Sequence, residues 1–208
     1  ESELDRMTYL LSDGKWYRIE QSFVKLVDSD ISRIKATSIV LPAYKDENED
    51  AYNKRICRRS KGELALMHTR QIQYGGGSSS IEFCDAYSKK RIALHIKRYA
   101  GANALSHLFM QGANSAELLF FDREFRIALN RKLPPSHRLT RPGKRLDARK
   151  YEIAFVIISQ SKKELNLPFF SRLTLRDAYR RLGGYGYAVT LTKVQASQGI
   201  QKAPRRSH

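Results

Sequence analysis

Cysteine is scarce in this chain: Cys57 and Cys84 are the only two, with no CxxC and no repeated Cys/His spacing. That excludes a disulfide-stapled scaffold and a zinc finger recognisable from spacing, and it makes a reducing cytoplasm the expected compartment. Long apolar runs are missing too. No stretch approaches the roughly 18 residues of a membrane-spanning helix, and no basic-then-apolar pattern opens the chain, so neither a span nor a secretion signal is expected. No polybasic amphipathic helix stands out, so a membrane partner is not expected either. Acidic residues run short after position 50. Residues 1–50 hold 11 Asp and Glu against 7 Lys and Arg, whereas residues 51–208 hold 10 against 31, so a net charge of −4 gives way to +21.

What is present is a chain of 208 residues, 41% hydrophobic and 10% aromatic, enough for one sizeable core and a small appended lobe. The overall charge of +17 calls for an anionic partner. Phosphate polymers suit it best, because each neutralised phosphate releases condensed counterions, so nucleic acid, DNA in the first instance, is the expected ligand. The charge reversal divides the chain into an acidic N-terminal lobe (1–50), a basic α/β core (51–195) and a basic tail (196–208). The tail has no periodicity and is expected to be disordered.

Within the first lobe, the turn Ser12-Asp13-Gly14 joins two short apolar stretches into a hairpin, and Phe23, Val27, Ile31 and Ile34 recur at helical spacing. Pro42 and the run Asp46 to Asp50 mark a linker or a helix entry. Beyond them the pattern predicts a helix from Ala51 to about His68, weakened by Gly62, and a loop over 75–80. Two strands follow, Ile81 to Tyr87 and Arg91 to Tyr99, and then a helix from Asn103 to Leu119. Asp122 reads as the N-cap of the next helix, which Pro134-Pro135 ends. Residues 136–150 read as a mobile basic loop around Pro142-Gly143. Ile153 to Ile158 suits a strand buried on both faces, Thr174 a cap for a helix stopping at Gly183-Gly184, and Tyr187 to Val194 a closing strand. The order implies a mixed central sheet flanked by helices, in the αβββαβ sequence of restriction-endonuclease-like cores, behind a small hairpin-plus-helix lobe.

That order directs attention to Asp85 at the end of the first hairpin strand and to His95 and Lys97 on one face of the next. A carboxylate with a second ligand can hold Mg²⁺, and a lysine beside it can orient water or stabilise a pentavalent phosphate. Asp85 and Glu82 are therefore the candidate metal carboxylates, Lys97 the transition-state stabiliser, and His95 a ligand or proton shuttle. Glu82 falls on the face opposite Asp85 if alternation is strict. Glu63 and Gln111, on the flanking helices, are auxiliary candidates. The candidate phosphate contacts are Arg98, Arg138, Arg141, Lys144, Arg145, Arg180 and Arg181. The blander alternative pairs Glu82 and Asp85 with arginines and leaves His95 as a satisfied core histidine. A Ser/His hydrolase is a poor alternative because adjacent Ser106 and His107 diverge on a helix and no G-x-S-x-G elbow exists. Neither glycine cluster is a nucleotide cradle: Gly75-Gly76-Gly77 lacks a following lysine, and Gly183-Gly184-Tyr185-Gly186 closes a helix rather than opening one.

The segments Ile81-Glu82-Phe83-Cys84-Asp85, His95-Ile96-Lys97-Arg98-Tyr99 and Leu105-Ser106-His107-Leu108-Phe109 with Gln111-Gly112 resemble a sporadically distributed bacterial family of unknown function. The similarity extends through Ser115-Ala116-Glu117-Leu118, Leu167-Pro168-Phe169-Phe170-Ser171 and Leu182 to Val194, with Gly14-Lys15-Trp16-Tyr17 matching an earlier segment. The resemblance implies a mobile-element or defence setting and a longer whole protein, but no reaction. A weaker resemblance is to PD-(D/E)XK nuclease cores, from which the sequence departs by placing His95 where those cores carry Asp or Glu. Two functions stay open: a Mg²⁺-dependent nuclease, or a non-catalytic DNA-binding or sensing module. The module would assemble with a partner effector, and either form could be a homo-oligomer.

Overall fold

A computed structural model describes residues 2–4, 7–12, 14–45, 47–75 and 79–197. The chain opens with three antiparallel strands, β1 (Ser2–Leu4), β2 (Met7–Ser12) and β3 (Lys15–Ile19), one strand more than the expected hairpin. Helix α1 (Gln21–Ser32) follows. Asp13, Asp46 of the acidic run, three loop residues (76–78) and the tail from 198 onward lie outside the described residues.

Helix α2 (Glu49–Arg59) starts where its chemistry requires: Asn48 accepts a hydrogen bond from the Ala51 amide at 2.8 Å, acids fill the first turn and arginines the last. It ends well short of His68. Lys61 and Gly62 both adopt positive φ (51° and 85°), which turns the chain into a strand, β4 (Leu64–Leu66). A two-stranded hairpin, β5 (Gln71–Tyr74) and β6 (Ser79–Glu82), projects next. The chain then rejoins the main sheet through β7 (Ala86–Ser88) and β8 (Ile92–Arg98). The single strand expected over 81–87 is thus two, broken at Phe83-Cys84-Asp85 as the chain passes from one sheet to another.

Helix α3 (Ala102–Phe121) is followed by α4 (Arg123–Lys132), capped by Asp122 on the Phe125 amide at 2.9 Å, as the sequence predicts. Strand β9 (Glu152–Ser159), helix α5 (Phe169–Tyr185) and strand β10 (Ala188–Gln195) complete the chain. α5 begins at Phe169 rather than near Thr174, whose hydroxyl donates back to the Phe170 carbonyl, and it ends beyond the two glycines at Gly186 with φ 99°. The segment 136–150 is anchored: it forms two 3₁₀ turns, buries His137, Leu139 and Ala148, and has the Pro142 carbonyl held by Arg126.

The five-stranded mixed sheet runs β10-β9-β8-β7-β4, parallel through β10, β9 and β8 and antiparallel beyond. Strand β9 is paired on both sides, and its side chains alternate between two cores. Ile153, Phe155 and Ile157 face α3, α4 and α5, while Ala154, Val156 and Ile158 face Tyr44, Tyr52 and Ile56. α3 lies so close to the sheet that a Cβ at Gly112 would stand 2.5 Å from the Phe155 ring. The change of charge sign falls within the first turn of α2. N-terminal to it, Val27 and Tyr44 are fully buried, Asp28 and Asp30 pair with Arg172 and Arg176 of α5, and residues 35 and 44 bridge to Thr190 and Ala196 along the outer edge of β10. Among the described residues no helix is long and apolar enough to cross a membrane.

Candidate metal centre

The break between β6 and β7 places Asp85 at the point where three segments meet. The Met67 and His68 amides both donate to its carbonyl at 2.9 Å, so the chain leaving β4 wraps around it. Its carboxylate is fixed on both oxygens: Oδ2 accepts from the Ile96 amide of β8 at 2.7 Å, and Oδ1 from Asn53 of α2 at 3.1 Å and from His68 Nδ1 at 2.8 Å. The hairpin register sets Glu82 opposite Gln71, which brings its carboxylate to the same point. Glu82 Oε1 lies 3.2 Å from His68 Nδ1, and Oε2 accepts from the Thr69 amide at 3.1 Å. Thr69 holds φ at 65°, a costly conformation for a β-branched residue, and there its amide meets Glu82.

His68, Glu82 and Asp85 therefore each offer a ligand atom, all within 4.8 Å of one another. Two donors on one cation at about 2.0–2.6 Å each are separated by no more than about 5 Å, so the spacing fits a shared ion. The side chains are 23%, 27% and 12% exposed, so the cluster is reachable from solvent. In the metal-free protein the Asp85 hydrogen bond and charge push the His68 pKa up to about 9, and burial beside Asp85 raises that of Glu82. One imidazole nitrogen with two carboxylates is a donor set better suited to Mn²⁺ or another borderline divalent ion than to Mg²⁺.

Of the residues singled out in the sequence, Glu82 and Asp85 meet here, and the break at residues 83–85 is why alternation does not separate them. His95 takes the other side of the sheet: its ring lies 5.9 Å from that of Phe155, it is 4% exposed, its Nε2 has no partner among the described residues, and burial pushes its pKa down to about 4. Lys97 is at the far end of β8, its Nζ 2.8 Å from Glu49 Oε2, while Glu49 Oε1 accepts from the Arg98 amide at 3.0 Å. Gln111 is exposed on α3, and Glu63 pairs with Lys89 at 3.2 Å beyond the end of α2. His68, Asn53 and Glu49 were not singled out. The only sequence signal for His68 was the helix-breaking pair Lys61-Gly62, which frees the following residues from the helix.

A family model for proteins of unknown function, DUF6119, matches residues 1–195. The chain belongs to that family. No curated protein and no solved structure matches it.

Around the cluster this DUF6119 chain is basic. A groove of about 730 Å³ begins at Thr69 and carries Arg70, Arg131 and Lys132, with Arg70 tied to the Lys132 carbonyl at 2.9 Å. Elsewhere on the surface, Arg138, Arg141, Lys144, Arg145 and Arg180 are exposed. Arg98 is half-buried over the Tyr44 ring, and Arg181 is committed to Glu117 and Asp177.

Proposed function

We propose that the chain binds nucleic acid, DNA in the first instance, and cleaves its phosphodiester bonds with a divalent cation held by His68, Glu82 and Asp85, within a bacterial defence or mobile-element system. The observation that carries the reading is the convergence of those three ligand atoms within 4.8 Å beside a groove lined by Arg70, Arg131 and Lys132. A bound cation there supplies a polarised phosphoryl oxygen and a more acidic water. Asp85 and Asn53 orient the cluster, Glu82 accepts from the backbone at Thr69, and the groove cations hold the polyanion by counterion release. Lys97 remains the candidate for stabilising charge on the phosphate. Mn²⁺ is the favoured ion and Mg²⁺ the weaker one, given the nitrogen donor.

The test is supercoiled plasmid incubated with Mn²⁺ or Mg²⁺. Cleavage lost in Asp85→Ala and His68→Ala with binding retained supports the enzyme. The rival reading is a non-catalytic DNA-binding or sensing module that works with a partner effector. It is favoured by the fact that protonated His68, shared between Asp85 and Glu82, closes an ion-paired triad needing no metal. Salt-sensitive binding with no cleavage under either ion selects it.

A further inference from the structure

Six cations surround a second depression, of about 400 Å³, remote from the metal cluster: Arg91, Arg126, Arg141, Lys144, Arg145 and Lys150. It sits at the N-terminal ends of β8 and β9, since Arg91 and Tyr151 immediately precede those strands. Asp85 is bound to Ile96, five residues beyond Arg91, about 17 Å at a strand's rise. The one acid in the lining, Asp147, is taken by Arg149 at 2.9 Å.

The arginines here are immobilised by groups that leave their charge intact. Arg126 is 4% exposed and gives its guanidinium to three carbonyls, those of Pro142 at 3.0 Å, Leu119 at 3.1 Å and Phe120 at 3.0 Å. The Arg145 guanidinium lies 4.0 Å from the centroid of Phe120, and that of Arg91 5.4 Å from Tyr151. Among the described residues none of the three has a carboxylate within ion-pair distance. This contrasts with Arg55, Arg172, Arg176 and Arg181, which are all held by acids. Burying a guanidinium without a counter-charge is costly, and ring and carbonyl contacts fix orientation while sparing charge for an incoming anion. Planar guanidinium forks suit phosphate oxygens.

We infer that this depression is a phosphate-binding pocket in which Arg91, Arg126 and Arg145 grip a phosphoryl group and Arg141, Lys144 and Lys150 form its rim. It stands independently of cleavage at the metal cluster. The phosphate belongs either to a small free molecule or to a nucleic-acid chain. Calorimetric titration with inorganic pyrophosphate at low salt reads the pocket directly. Saturable one-site binding is expected, weakened about tenfold or more in the double variant Arg91→Gln/Arg145→Gln, which replaces one half-buried and one exposed side chain. His68→Gln, titrated without divalent ions, should bind pyrophosphate as the parent does, which separates this pocket from the cleavage reading. Pyrophosphate displacing a labelled oligonucleotide assigns the pocket to nucleic acid, and binding without displacement assigns it to a free phosphate compound. Absence of saturable binding, or equal affinity in the folded double variant, overturns the proposal.

Discussion

Two histidines flank Asp85 and titrate in opposite directions. His68 lies on the solvent side, bonded to Asp85 and Glu82, and its pKa rises to about 9. His95 lies on the α3 side between Phe155 and Gly112, and burial lowers its pKa to about 4. The same carboxylate's negative field favours the charged form of both rings, so the difference comes from contact and solvent. A direct hydrogen bond outweighs partial burial at His68, and complete burial outweighs the Asp85 charge at His95. Proximity to an acid thus does not make a histidine a ligand. The ring nitrogen must reach the carboxylate's own open side.

The largest effect on this comparison comes from removing the residue between them. Asp85→Ala leaves the Asn53 amide and the buried Ile96 N–H without their acceptor and leaves His68 with Glu82 alone. The expected loss of stability is about 4 kcal/mol by denaturant unfolding. A loss below about 1 kcal/mol would mean that Asp85 does not organise the junction of α2, β6 and β8.

Next comes the acid limb. His95 has a folded pKa below its unfolded value, so its contribution is intact above about pH 6.5 and is lost as pH falls towards 4. Over that window it accounts for about 3 kcal/mol, and His95→Gln should flatten the stability profile there relative to the parent. An unchanged slope in the variant contradicts a neutral, dry His95.

The alkaline limb is smaller and of opposite sign. His68 has a raised folded pKa, so in chelator-treated protein its contribution is complete below about pH 6.5 and disappears as pH climbs through 9. About 2 kcal/mol is expected, discounted because the ring is partly exposed, and His68→Gln should abolish that slope. Saturating Mn²⁺ should flatten it in the parent as well, since a ligating imidazole carries no proton to lose at that nitrogen. A slope indifferent to Mn²⁺ favours the ion-paired triad over a metal centre.

Most of the sheet was legible in the sequence because its signals are local. The unbroken apolar run of β9 announces burial on both faces, and Asp122 announces a helix start. The site was only half legible. Asp85 and Glu82 stood out as acids in a basic region, but a period-two strand drawn through residues 81–87 set them on opposite faces. The jump from the β5–β6 hairpin into the main sheet, which reunites them, depends on tertiary pairing. His68 was hidden inside a helix prolonged past Lys61 and Gly62, two residues whose left-handed backbone ends it. Thr174 misled in a similar way: a cap-type residue lay inside α5 because its hydroxyl bonds back to the preceding turn.

The smallest expected effect concerns Lys97, which shares a strand with His95 and yet meets neither histidine. Its ammonium pairs with Glu49 at a position 41% exposed, and Glu49 keeps a second bond to the Arg98 amide when the lysine is gone. Exposed pairs contribute little, so Lys97→Ala should lower stability by about 0.5 kcal/mol, less at high salt. That modest cost gives the variant its value. Because the fold survives it, cleavage lost in Lys97→Ala reports on the phosphate chemistry, and cleavage retained removes Lys97 from the reaction and leaves it as a clasp between β8 and α2. The corresponding experiment with Asp85→Ala cannot be read alone, since Asp85 also holds three chain segments together, so the two variants have to be compared at matched fractions of folded protein.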